Sequence, residues 1–428
     1  MSDTHSIPPL ALDADRYRDV LAALDTAQTA MIETVLAWSR INSGSDNLEG
    51  LRKMGEAVTA AFSPLGAEHE VRPLPPAERV APDGSLVARP LGAVLRFRKR
   101  PQAPRKVLLT GHVDTVFPPD HPFQNPRFLD DNTINGPGVA DMKGGIVVMI
   151  EALRALEASP FAENLGWEVL LSADEEIGSI GSAAILAERA PTADIGLTYE
   201  PALADGTLAG ARKGSGNFTF VIHGRAAHAG RDFAAGRNAV VAAAELVAAL
   251  DALNGGRPGV TVNPAVISGG TAPNIVPDRA VLAVNVRVTN IEDMRWIEKV
   301  FADIERRVAA RDGIRLTRHG GFNRPPKPLS PANEALMAAV AACGKALGIT
   351  VAYKPTGGCC EGNNLAAAGL PNVDTLGVRG GNIHSDKEFA LVDSFVERAK
   401  LSALVLMAFA DGRFPELERT RGDAACCS

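Results

Sequence analysis

Cysteine is scarce in this chain and poorly placed for cross-linking. Its five copies among 428 residues, Cys343, Cys359, Cys360, Cys426 and Cys427, form an odd, late cluster rather than a disulfide framework. A reducing, cytoplasmic setting is the expectation that follows. Positive charge is short as well: 44 Lys and Arg stand against 50 Asp and Glu. Phosphate backbones want a basic face, so nucleic acid is not the expected partner. No window reaches the roughly 18 uncharged apolar residues of a membrane span, so no membrane partner is expected either. The first twenty residues lack a basic segment followed by an apolar core, and no signal peptide is read there. The closing "RGDAACCS" reads as a mobile tail.

What is present is a globular composition, 46% hydrophobic, in a chain long enough for two domains. Residues 1–26 read as an irregular start and residues 74–92, rich in Pro and Gly, as a loop. From residue 92 onward short apolar runs alternate with helical periods. "KVLLTGHVD", "WEVLLSAD" and "DIGLTYE" are strands that finish in acids or histidine, and "KGGIVVMIEALRALEAS" is a helix. This β-α-β rhythm predicts a three-layer α/β/α sandwich, where ligands lie beyond the carboxyl ends of strands. The rhythm changes at residue 212. The order β-α-β-β-α-β from there to about residue 320 predicts a ferredoxin-like α+β unit inserted into the first domain. The expected division is 1–211, 212–325 and 326–428, with "FNRPPKPLSP" as the return linker.

Candidate chemistry gathers at those strand ends. His112 and Asp114 in "GHVDTV" are two apart and share a face, so Asp114 suits the second ring nitrogen of a metal-binding His112. A hydrogen-bonded core histidine fits the same residues. Asp141 sits among glycines in "NGPGVADMKGG" and is either a ligand or a helix N-cap. In "SADEEIGSIGS", Asp174, Glu175 and Glu176 stand in a row, where neighbouring carboxylates should not all ionise comfortably. Glu200 follows another short strand, and His384 lies in a Gly-rich loop. Singly, each has a structural explanation. Together, two histidines and several acids beyond strand ends suit a pair of cations, which would relieve the repulsion among the acids.

The chain resembles the two-zinc metallopeptidases that include glutamate carboxypeptidase, acetylornithine deacetylase and succinyl-diaminopimelate desuccinylase. "GHVDTV", "GPGVADMKGG", "SADEEIGSIGS", "YEP", "AAHAG", "NIVPD" and "NIHSDKEF" carry the resemblance, in family order. It implies a zinc-peptidase catalytic domain with an inserted dimerisation (lid) domain, a homodimer, and two divalent ions, zinc before cobalt or manganese. His112 and Glu200 would hold one ion, Glu176 and His384 the other, and Asp141 both. Asp114 would orient His112, and Glu175 would be the uncoordinated general acid/base. Asp174 would be structural. His228 would reach across the dimer to stabilise an oxyanion, while Asn274 and Arg287 would hold the substrate carboxylate. His223 is left as structural, and Lys213 and Arg324 are candidate further cations for an acidic substrate.

One departure stands out. Relatives carry a Gly-Gly-Gly-Ser/Thr-Asp type loop where this chain has "GGCCEGNN", placing Cys359, Cys360 and Glu361 there. The two cysteines are expected to pack the loop. The function implied is amide hydrolysis that releases an amino acid with a free carboxylate from an N-acyl amino acid or small peptide, nearest the glutamate carboxypeptidase branch. The alternatives are an N-acetyl or N-succinyl amino acid deacylase, a non-catalytic metal-binding relative, and a metal-dependent isomerase.

Overall fold

The computed structural model describes residues 12–419. A six-stranded sheet forms its centre, in the order Glu68–Pro73, Ala93–Lys99, Leu165–Ser172, Arg105–His112, Ile195–Thr198 and Asn372–Val373. The last four strands are parallel, and Ala93–Lys99 is antiparallel to both neighbours. Parallel strands covered on both faces need apolar side chains on both, and "LGWEVLLS" is buried from end to end.

Alternation sorts those side chains into two cores. Val107, Leu109, Val169 and Leu171 face the helices Gln28–Ser39, Leu48–Phe62, Lys143–Glu157 and Asp393–Ala410. Leu108 and Leu170 face Ala183–Arg189 and Glu361–Ala367. The result is the three-layer sandwich read from the sequence. Gly145 shows how tightly a helix start is seated: a Cβ there would meet the Tyr199 carbonyl oxygen at 2.0 Å. Only glycine allows that approach, which brings the helix against the residue preceding Glu200.

The second unit has its own sheet, ordered Thr261–Gly269, Arg279–Val288, Gly214–His223 and Arg315–Arg324, with all neighbours antiparallel. Helices Ala239–Asp251 and Ile291–Ala309 cover it, closing a core around Phe218, Phe220, Leu246, Val284 and Phe301. This is the ferredoxin-like order. Its last strand runs on to Arg324, past the residue where the linker was expected to start, because its pairing with Gly214–His223 continues to Ser215. A third sheet, of strands two to four residues long, joins Ala202–Leu203, Arg379–Gly381, Phe389–Leu391, Thr133–Asn135 and Arg127–Asp130. Strands that short have no readable period, and none was expected.

Two local expectations are corrected. Residues 74–92 contain a hairpin, Ala77–Val80 with Leu86–Arg89, whose tip touches the second unit through Asp83 O to Arg279 and Pro82 O to Ser268. The start is not irregular throughout: Ala14–Tyr17 is a 3₁₀ turn and Arg18–Ala23 an α-helix, anchored by Tyr17 Oη on Asp411 at 2.9 Å. The tail from residue 421 lies outside the described residues. Among the described residues no single helix is long and apolar enough to cross a membrane.

Candidate metal centre

The carboxyl ends of the parallel strands converge. His112 ends one strand, Asp174, Glu175 and Glu176 follow the next, and Glu200 follows a third. His112 Nε2 lies 3.1 Å from Asp141 Oδ1 and 3.7 Å from Glu200 Oε1. Its Nδ1 faces the Asp114 carbonyl oxygen at 3.0 Å and Asp114 Oδ1 at 3.4 Å. Both are acceptors, so Nδ1 carries a hydrogen, and Nε2 is the ring nitrogen turned toward the acids. Asp114 does more than orient His112. Its carboxylate also accepts from Ser45 Oγ (2.8 Å), Glu175 N (3.2 Å) and Glu176 N (3.1 Å), tying the acidic turn to the histidine strand.

The other half-site comes from a different sheet. His384 sits in the loop between the strands Arg379–Gly381 and Phe389–Leu391, with left-handed backbone at φ 63°. Its Nε2 is 3.3 Å from Asp141 Oδ2 and 3.2 Å from Glu176 Oε2, yet its side chain is 54% exposed. Asp141 thus faces both histidines, one with each oxygen. It is not a helix N-cap: the following helix begins at Lys143, with Met142 in the cap position. The Asp141 loop is held by a residue the sequence reading passed over. Buried Glu388 accepts from Gly138 N (3.1 Å), Ala140 N (3.0 Å) and Asp141 N (3.0 Å). It is the next-to-last residue of the "NIHSDKEF" stretch, but one acid among the polar residues of a loop gave no signal.

The electrostatics test whether cations fit. Burial, then the neighbouring charge of Asp141, pushes the Glu176 carboxyl up to about 8 and that of Glu200 well above the usual range. Hydrogen bonds to Asp141 and Glu176 raise His384 to about 11. Burial opposes charge on His112, but hydrogen bonds to Asp114 and Asp141 outweigh it and hold its pKa well above 6.5. Left to protons alone, the cluster therefore shares several among buried groups. His112, Asp141 and Glu200 offer ligand atoms within 4.8 Å of one another, and so do Asp141, Glu176 and His384. Two N,O,O sets sharing one carboxylate fit two divalent ions, and imidazole with carboxylate suits zinc among others.

Other expectations land differently. Glu175 is not free: Arg324 Nη1 is paired with its Oε1, and Nη2 donates to its backbone oxygen at 2.7 Å and to Ser179 Oγ at 3.1 Å. Arg324, expected as a cation for substrate, is thereby committed to Glu175. Asp174 is buried, and its Oδ2 accepts from Gly181 N and Ser182 N, a purely structural role. Lys213 Nζ is turned to Gly259 O at 2.7 Å. His223 makes no contact with the cluster and stays on its strand.

Arg287 reaches Cys359 Sγ at 3.1 Å and Asn285 Oδ1 at 3.1 Å. Cys360 does pack the loop: it is buried as the N-cap of the helix Glu361–Ala367, and its thiol is pushed well above its ordinary pKa by burial. Cys359 is half-buried and, like Cys360, lines the cavity of the metal residues. Glu361 is fully buried, accepts from Ser172 Oγ at 2.5 Å, and is pushed to about 8 by burial. His228 and Asn274 are brought together on the small ladder Ala227–His228 with Ile275–Val276, both exposed, and neither bonds to a metal-cluster residue of its own chain.

Comparison with known proteins extends the geometry. The profile of peptidase family M20/M25/M40 matches residues 108–408. Carboxypeptidase G2 of Pseudomonas sp. (strain RS-16) is 27% identical over 413 residues, 94% of this chain and 95% of that protein. A probable carboxypeptidase of Aspergillus fumigatus is 34% identical over 228 residues, 46% of this chain and 50% of that protein. Among solved structures, the M20 family metallo-carboxypeptidase Sso-CP2 of Sulfolobus solfataricus superposes with TM-score 0.70 at 16% identity, covering 89% of this chain and 99% of that one. A Bacillus subtilis protein described as a dinuclear metal binding peptidase from the M20 family superposes with TM-score 0.62 at 14% identity, covering 90% and 99%.

Proposed function

This chain belongs to peptidase family M20/M25/M40, and on that premise we propose that it cleaves an amide bond to release an amino acid with a free α-carboxylate, from an N-acyl amino acid or small peptide. The observation that carries this reading is Asp141, set between two histidine-carboxylate groups with one oxygen toward each. In this reading His112, Asp141 and Glu200 hold one ion, and Asp141, Glu176 and His384 the other. Two divalent cations, zinc in our reading, supply Lewis acidity and lower the pKa of water from 15.7 toward about 7.

The chain's own groups then move the proton and bind the substrate. Glu175 takes the proton of the attacking water and returns it to the leaving amine, help worth about 10² to 10⁴-fold. Arg324 occupies Oε1 and leaves Oε2 for that proton. Asp114 keeps the base and the first histidine in register through the Glu175 amide. Arg287 receives the substrate carboxylate with its planar fork once Cys359 gives way. Asn274 and His228 act in the site of a second copy. Support for such a dimer is the edge strand Thr261–Gly269, unpaired on its outer side among the described residues, with Val266 and Ile267 exposed. Cysteine usage supports a cytoplasmic setting.

Purified protein assayed against N-acyl amino acids and dipeptides, with and without chelator, tests the reading. Hydrolysis should vanish with chelation and return with added zinc. Hydrolysis indifferent to chelator would overturn it.

A further inference from the structure

We propose that Cys359 gates the carboxylate clamp: its thiol stands between Arg287 and the metal cavity and must turn aside before the guanidinium takes a substrate. The inference rests on the reading of Arg287 as the carboxylate holder. It assigns to Cys359, in the stretch "GGCCEGNN" that breaks the family's loop pattern, control over how strongly that holder is felt.

The cavity, about 290 Å³, is lined by Asp141, Glu175, Glu176, Glu200, His384 and Cys359, but not by Arg287. Arg287 comes from the other unit, on the strand Arg279–Val288, and meets the cavity wall through the thiol, Nη1 to Sγ at 3.1 Å. Its Nε donates to Asn285 Oδ1 at 3.1 Å, and it makes no ion pair among the described residues. A half-buried guanidinium thus faces an amide and a thiol and no carboxylate. Sulfur is a weak acceptor, whereas a carboxylate takes the planar fork with two charge-assisted bonds. An arriving carboxylate therefore displaces the thiol, and the exchange subtracts one hydrogen bond from its binding. Arg324, within electrostatic reach of Cys359, is committed to Glu175 and takes no part in that exchange.

The backbone around Cys359 is fastened on both sides. Gly358 O accepts from Arg212 Nη1 at 3.2 Å, and Gly358 N donates to Thr356 Oγ1 at 3.3 Å. Cys360 N donates to Asn363 Oδ1 at 3.1 Å, at the start of the helix Glu361–Ala367. Asn363 Nδ2 donates in turn to Lys213 O at 3.0 Å and Pro325 O at 2.7 Å, the two crossings into and out of the inserted unit. With the chain held, χ1 of Cys359 is the one torsion that moves its sulfur, and a step to another rotamer uncovers Nη1. Cys360 shares the wall but not the role, because its sulfur caps the helix by accepting from Gly362 N at 3.4 Å.

The test compares, on the metal-loaded enzyme, the best-cleaved N-acyl amino acid with the same compound carrying a carboxamide in place of its α-carboxylate. Cys359→Ala should lower KM for the carboxylate by about 2- to 10-fold, the scale of one net hydrogen bond, with kcat and the carboxamide KM little changed. Cys359→Ser, whose hydroxyl still accepts from Nη1, should stay near wild type. In an Arg287→Ala background, Cys359→Ala should have no further effect on KM, since the group it covers is gone. A carboxylate KM unchanged or raised in Cys359→Ala, lowered equally for both compounds, or lowered equally without Arg287, overturns the gate and leaves the clamp reading standing. If Arg287→Ala leaves the preference for carboxylate over carboxamide intact, the clamp reading fails and the gate falls with it. Should neither compound be hydrolysed, calorimetry decides the gate: N-acetyl-alanine must bind Cys359→Ala more tightly than wild type, and equal binding overturns it.

Discussion

Asp374 makes a sharp test of the electrostatics, because its two partners lie on the two chain crossings between the units. Arg212 ends the strand entering the inserted unit and Lys327 lies just past the strand leaving it, and their backbones bridge each other. Both donate to the same carboxylate oxygen at 2.8 Å, with side chains 8% and 2% exposed and Asp374 at 0%. Asp374→Asn keeps the shape and removes the charge, leaving two buried cations without a counterion. Breaking a buried pair by removing one partner costs about 3–5 kcal/mol. Unfolding entropy of roughly 0.9 kcal/mol/K for 428 residues converts this to a Tm lowered by about 3–6 °C. Replacing the whole set, Arg212→Met with Lys327→Met and Asp374→Leu, should recover most of the loss, since apolar substitution of an entire ion cluster is often neutral.

The pH dependence has a defined sign. Burial alone would raise the Asp374 pKa, but Arg212 and Lys327 outweigh it and hold it below the ordinary value. A carboxylate depressed in the folded state contributes its stability above the unfolded pKa of about 3.9 and loses it as pH falls through the folded value. The gap between wild type and Asp374→Asn should therefore be flat from about pH 5 to 8 and shrink below about pH 3.9. Urea unfolding across that range measures it. A gap under about 1 kcal/mol at pH 7, or a triple variant no better than the single one, refutes the reasoning.

Glu175→Gln should lower kcat by about 10²-fold or more with both metal equivalents still bound, read by steady-state kinetics beside metal analysis. Glu388→Ala should weaken metal binding by about 10- to 100-fold, because three amides that position Asp141 lose their acceptor; a competition titration reports it. In the metal-free protein burial raises Glu176 and the flanking carboxylates raise His384, so both ligands hold protons above their ordinary values and metal affinity should fall steadily as pH drops; a pH series of metal dissociation constants checks the sign. Val266→Asp, on the exposed edge strand, should convert dimer to monomer in sedimentation if that edge is the interface.

How much of this was legible depends on range along the chain. The strands ending at His112, Ser172 and Thr198 are apolar runs that stop at polar residues, and the inserted unit shows its order in hydrophobic period alone. The division among Asp174, Glu175 and Glu176 followed from the resemblance, not from periodicity, since three adjacent acids look alike in sequence. What escaped was built from distant or very short pieces. The sheet that carries His384 has strands of two to four residues. Arg212 and Asp374 are 162 residues apart, so their pairing left no local trace. The hairpin at 77–89 sits in a Pro- and Gly-rich stretch that reads as loop, and its tip rests on a unit far along the chain. Glu175 was expected to be uncommitted because nothing near it in sequence announces Arg324.

The two halves of the centre are unequal in their foundations. His112, Asp141 and Glu200 are all buried and backed by the central sheet, whereas His384 stands mostly in solvent on a loop of another sheet. A cation at the second position would thus have one solvent-facing ligand, His384, beside two buried carboxylates, while one at the first would have none. Dilution or mild chelation should strip the pair in that order, through a singly loaded species, so that occupancy of the outer seat sets how quickly the protein falls silent when metal runs short.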